Sequence, residues 1–108
     1  MKPGLLKGHL DALLLSVLED GAAHGYAVIE QLRGRSGGTF DLAEGTVYPA
    51  LHRLERAGLV RSRAAVVDGR QRRVYDLTRS GHRALAEGRS EWKVFAGAVG
   101  SVLKVQPA

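Results

Sequence analysis

Between Glu44 and Leu59 the chain reads E-G-T-V-Y-P-A-L-H-R-L-E-R-A-G-L. Thr46, Tyr48, Pro49, His52, Arg53 and Arg56 fall on one side of this stretch when it is wound as a helix. They offer hydroxyls, a ring nitrogen and two guanidiniums. A second set follows at Arg70, Gln71, Arg72 and Arg73. These groups suit polar recognition of phosphate oxygens and base edges. They do not suit covalent chemistry: no Ser-His-Asp set, glycine-rich phosphate loop or close carboxylate pair is visible, so no enzyme is expected. His9, His24 and His82 show no zinc-ligand spacing, so neither a metal nor a cofactor is expected.

The charge is placed as those groups are. Net charge is +5 over 108 residues. From His52 to Arg83 there are nine Lys/Arg against three Asp/Glu; the remainder holds seven against eight. The whole surplus therefore lies in one segment, as expected for a polyanion partner. The bland alternative is a solvated basic face. A protein–protein module without DNA readout is a second alternative, which the basic segment disfavours. No aromatic platform for single-stranded RNA is evident.

The elements that must position these groups follow from periodicity. Leu6, Leu10, Leu13, Leu14, Val17 and Leu18 predict a helix from about Leu5 to Glu19, stopped by Gly21. Leu15 points off that stripe and suggests a second packing surface. His24-Gly25-Tyr26 opens a second helix carried by Val28, Ile29 and Leu32, with Gly25 allowing close approach of something to the backbone. Thr39 to Leu42 reads as an extended link. Val47, Leu51 and Leu54, widened by Ala50 and Ala57, give the third helix its apolar side, and Gly58 ends it. Pro49 is tolerated near that helix start.

Leu59 to Ala64 and Val66-Val67 are β-compatible, and Asp68-Gly69 is a strong hairpin signal. Arg73 to Leu77 forms the return strand, with Val74 alternating against the polar Arg73 and Tyr75. Thr78 caps a last helix from about Arg79 to near Lys104. Its stripe of Leu85, Gly88, Trp92, Phe95, Ala96, Val99 and Leu103 is longer than so small a domain can cover, so a second copy is the expected cover. The expected architecture is mainly α with a small β-hairpin: a winged helix-turn-helix over 1–78 and a dimerisation helix over 79–108. There is no cysteine, no apolar run near the roughly 20 residues that span a bilayer, and no signal-peptide pattern at the start. A cytoplasmic protein without a membrane partner is expected.

Taken together, His24-Gly25-Tyr26, Glu44 to Glu55, Gly58-Leu59-Val60 and Arg72 to Thr78 resemble the PadR family of bacterial transcriptional regulators. The resemblance spans Leu5 to about Leu103, and the length is similar to the short subfamily with one C-terminal helix. It implies a winged-helix homodimer on double-stranded DNA and repression relieved by a small molecule. It implies DNA contact at Tyr26, Thr46, Tyr48, Pro49, His52, Arg53, Arg70, Arg72 and Arg73. Tyr48 and Tyr26 have packing roles as alternatives, and His52 can also be a plain surface residue. Leu85, Trp92, Phe95, Ala96, Val99 and Leu103 would form the dimer interface, where Trp92 and its mate could line a cavity for a flat aromatic effector. Ala43 stands where the family commonly has Ser or Thr, Gln71 where Pro is frequent, and Val74 where an aromatic is frequent.

Overall fold

The computed structural model describes Leu6 and residues 8–105. The element order is α1 (Leu10–Glu19), β1 (Ala23–His24), α2 (Gly25–Arg35), α3 (Glu44–Arg56), β2 (Val60–Val67), β3 (Arg70–Leu77) and α4 (Arg79–Leu103). The three strands form one antiparallel sheet in the order β1-β3-β2.

The core is the meeting of four apolar stripes. Leu14, Leu15, Val17 and Leu18 of α1, Val28, Ile29 and Leu32 of α2, and Val47, Ala50, Leu51 and Leu54 of α3 are all buried. Val60, Tyr75 and Leu77 close it from the sheet and Leu85 from α4. Leu15, expected on a separate surface, lies in this core because α1 is covered on more than one side.

Four further expectations need correction. First, α1 starts at Leu10 and not near Leu5, which is outside the described residues. Gly8 at φ +86° takes a left-handed turn that a helix cannot contain. Second, the hairpin gains a third strand, because Ala23 and His24 pair with Tyr75 and Val74. A two-residue strand carries too little periodicity to be seen in sequence. Third, β3 begins at Arg70, since the ladder runs without a break to the turn. Asp68 (φ 52°) and Gly69 (φ 75°) are both left-handed, the twist a two-residue hairpin needs. Fourth, Tyr75 is not on a polar face: it is 1% exposed and a core residue.

The start of α4 is bolted to the corner between α3 and β2. Thr78 Oγ1 donates to Gly58 O at 2.7 Å and accepts from Gly81 N at 3.0 Å, and Thr78 N donates to Leu59 O at 3.1 Å. Gly81 fits only because it lacks a side chain: a Cβ there would lie 2.0 Å from Leu59 O. Gly88 likewise lets α4 cross α1 closely, its notional Cβ meeting that of Ala12 at 3.1 Å. Beyond this crossing α4 runs on largely uncovered. Its 25 residues make it about 37 Å long, and the molecule measures 50 × 28 × 21 Å.

Candidate nucleic-acid interface

Winding α3 at 3.6 residues per turn resolves its surface into three strips. Val47, Ala50, Leu51 and Leu54 face the core. Directly opposite lie Gly45, Pro49, His52 and Arg56, all exposed. Thr46 and Arg53 flank this crest on the side of α1, and Tyr48 and Glu55 flank it on the side of the sheet. The partners agree: Arg53 pairs with Asp11 of α1, and Glu55 Oε2 accepts from Ser62 Oγ of β2 at 2.6 Å. Ala43 gives the helix no side-chain cap, so the first-turn amides of Glu44 and Gly45 stay open to an anion. Pro49 sits inside the helix, on its solvent side.

Tyr48 is half-buried, and its ring explains Gly25. A Cβ at Gly25 would come within 2.4 Å of Tyr48 Cε1 and 2.8 Å of its hydroxyl oxygen. The packing role weighed for Tyr48 is therefore present. The ring closes the joint between α2 and α3 and leaves its hydroxyl at the N-terminus of α2. His24 caps α2, its Nδ1 accepting from Ala27 N at 3.3 Å. Desolvation, with the nearby Arg72 guanidinium, holds the His24 pKa below its ordinary value and so keeps that nitrogen free to accept. Tyr26, half-exposed, stacks on His24 with ring centroids 6.5 Å apart. The His24-Gly25-Tyr26 motif thus seats both α3 and the wing against the start of α2.

Residues directly opposite in an antiparallel ladder share a face. The register puts Arg73 with Ala64, Ser62 with Tyr75, and Val60 with Leu77 on the face toward α3. Arg61 with Asp76, Arg63 with Val74, Ala65 with Arg72, and Val67 with Arg70 are on the other. Arg70, Arg72 and Arg73 are therefore divided, two facing away from α3 and one toward it. A ribbon that enters or straddles a groove can use both faces. Arg61 is partly neutralised by Asp76 at 3.6 Å. Arg56, Arg63, Arg70, Arg72 and Arg73 form no ion pair with any described residue. The Arg72 Nε is buried without a hydrogen-bond partner among the described residues.

Arg56, read from the sequence as part of the polar side of α3, lies on its crest. Sequence reasoning passed over Arg63, which shares a face with Arg70 and Arg72. The Asp68-Gly69 turn, by fixing the register, carried the signal for Arg63. Arg53, expected to reach DNA, pairs with Asp11 at 2.9 Å. His52 is exposed, with its ring 6.5 Å from that of Tyr75.

On α4, Trp92 (52%), Phe95 (53%), Val99 (37%) and Leu103 (66%) are exposed large hydrophobics. Leu85 is different. It is buried in the chain's own core and cannot face a partner. Ala96 is half-buried. His9 stands edge-on to Trp92 at 5.2 Å. No helix among the described residues is long and apolar enough to cross a membrane.

Known proteins agree with this geometry. A transcriptional regulator of Mycobacterium tuberculosis, Rv3488, is 47% identical over 70 residues, which cover 65% of this chain and 63% of the regulator. A PadR family transcription regulator from Clostridium difficile superposes with a TM-score of 0.79 at 34% identity, covering 89% of this chain and 99% of that one. Bacillus subtilis PadR in complex with operator DNA shares the fold at a TM-score of 0.65 and 24% identity, over 72% of this chain and 45% of that one. The profile of the transcriptional regulator PadR-like family matches residues 14–87. With that match covering most of the winged-helix body and the first turns of α4, the chain belongs to the PadR-like family of transcriptional regulators.

Proposed function

We propose that this chain is a homodimeric, sequence-specific binder of double-stranded DNA that represses transcription until a small molecule binds. The observation that carries the reading is a set of unpaired guanidiniums on a groove-sized rod and on both faces of the ribbon beside it. Arg56 crowns α3, with His52 as a polar neighbour on the same crest, and Arg70, Arg72 and Arg73 lie on the adjoining ribbon without carboxylate partners among the described residues. The operator-bound B. subtilis protein of the same fold supports DNA as the polyanion. In this reading α3 enters the major groove, with Thr46, Tyr48 and Pro49 near the backbone, and the wing meets phosphates or the adjacent minor groove. Tyr26 adds a backbone contact from the start of α2. Such an activity places the chain with the chromosome in the cytoplasm.

The exposed stripe of α4 supports self-association. Trp92, Phe95, Val99 and Leu103 are too large an apolar group to leave in water, and a two-fold axis covers each copy with the other. Residues 1–78 then read DNA and 79–108 join the copies. The aromatic pair Trp92 and Phe95, with ring centroids 6.1 Å apart, is the surface a flat aromatic effector would use, since offset stacking adds to burial.

A salt titration tests the reading. Phosphate contacts make log K fall with log salt at a slope of about −0.9 per contact. Arg72→Ala with Arg73→Ala is expected to weaken binding to every duplex alike and to flatten that slope by up to about two contacts. Affinity unaltered at low salt would remove the wing from the interface, and an affinity indifferent to salt would favour a protein partner.

A further inference from the structure

Arg53 lies on the flank of α3 and is already engaged. Its Nη1 donates to both carboxylate oxygens of Asp11, at 3.0 and 3.2 Å, and its Nη2 donates to Oδ1 at 2.9 Å. Both side chains are about half exposed. A guanidinium whose forked edge is committed to one carboxylate cannot offer that edge to guanine O6 and N7 at the same time. Its charge is also offset, so it counts for little against phosphate. The pair is therefore poorly arranged for direct readout and well arranged to hold α3.

What it holds α3 to matters. Asp11 belongs to a helix braced on α4 along its length. His9 is edge-on to Trp92, the notional Cβ of Gly88 reaches that of Ala12, and Arg89 donates to Glu19 at 2.8 and 3.1 Å and to Ser16 at 3.4 Å. The buried stripe of α3 fixes its depth in the core. Rocking about that stripe is opposed by bonds on its two flanks: Glu55 to Ser62 on the sheet side and Arg53 to Asp11 on the α1 side. If α4 joins two copies, the chain of contacts α4–α1–α3 sets how far apart the two recognition helices stand. A two-fold axis doubles any rocking that the flank bond fails to stop.

We propose that Asp11 is a positioning residue for DNA recognition: through Arg53 it fixes α3 on the α1–α4 frame and thereby sets the half-site spacing that a dimer accepts. The inference rests on the dimeric DNA-binding reading above. It assigns to Arg53 a role through Asp11 rather than through a base.

The parent chain would first select duplexes from a random-sequence pool. In the duplex it selects, the spacer between half-sites is then lengthened and shortened by one and two base pairs. Affinities are read by anisotropy for the parent, Asp11→Asn, Arg53→Ala and the double variant. The pair is exposed, so the variants are expected to fold, which melting curves check. The expected result is a preference for the selected spacing that falls by about fivefold in either single variant. The double variant should fall no further, because the two residues act as one unit. Affinity for a scrambled duplex should move less than about twofold, and Asp11→Glu, which keeps the carboxylate, should restore the preference.

An Asp11→Asn variant with the parent's spacing profile would overturn the inference. So would one that binds more tightly, because Arg53 would then have been released to the DNA. A parent chain that selects no duplex, or shows no spacing preference, would overturn the dimeric DNA reading and this inference with it.

Discussion

The apolar stripes of α3 and α4 meet opposite fates. In α3, Val47, Ala50, Leu51 and Leu54 are between 0% and 3% exposed. In the second half of α4, Trp92, Phe95, Val99 and Leu103 range from 37% to 66%. The sequence patterns are alike, so the difference comes from what surrounds them. Two helices, α1 and α2, and the sheet converge on α3, whereas α4 outruns its support beyond its contact with His9 at Trp92 and Phe95. α3 spends its apolar side on the fold and is free to show a polar crest. α4 spends only its first turns on the fold and shows apolar side chains suited to a copy of itself.

The largest effect that could break this contrast lies in α3. Leu51→Ala should cost about 2–5 kcal/mol of unfolding free energy, the usual range for truncating a fully buried leucine. Denaturant titration checks it, and a loss below about 1 kcal/mol would mean that the stripe is not the keystone of the core. The matching change in α4 is Trp92→Ala with Phe95→Ala. Measured at a dilution where the chain is monomeric, it should cost about 1–2 kcal/mol, less than Leu51→Ala although two large rings are removed, because half of each is already in water. The same variant should raise the dimer dissociation constant by at least about tenfold, read by sedimentation. A double variant as unstable as Leu51→Ala, with self-association intact, would erase the difference between the two regions.

The smallest effect sits at the boundary, where Arg89 reaches from α4 to Glu19. The hydrogen bond from Arg89 keeps the Glu19 carboxyl below its ordinary pKa, against some desolvation. A depressed carboxylate stabilises the fold above its unfolded pKa. That contribution fades as pH drops from the ordinary glutamate value of 4.5 through the lower folded value. The Glu19→Gln variant should therefore lose part of the parent's acid sensitivity in that window, and added salt should mask the difference because the pair is exposed. Identical acid limbs in melting curves of the two proteins would show that the brace contributes nothing.

Much of this was legible in the order of residues. Repeats at three and four residues located the helices, and Asp68-Gly69 located the hairpin. Thr78 reads as a cap, which its bond from Gly81 N bears out, and the clustering of Arg residues marks where positive charge gathers. Each depends on local geometry, where one backbone period or one pair of dihedrals decides the outcome. The third strand, the burial of Tyr75 and Leu85, and the tie between Arg53 and Asp11 were not legible. Asp11 and Arg53 are 42 positions apart, and nothing in either neighbourhood announces the other.

The sequence alone therefore determined which segments are helical or extended, which faces are apolar, and where positive charge accumulates. Only the tertiary structure decided which apolar faces are covered, which arginines share a face of the wing, and which cation is already paired. The division has one physical cause. Secondary structure follows from interactions within a few residues, whereas burial and ion pairing depend on what distant parts of the chain bring alongside.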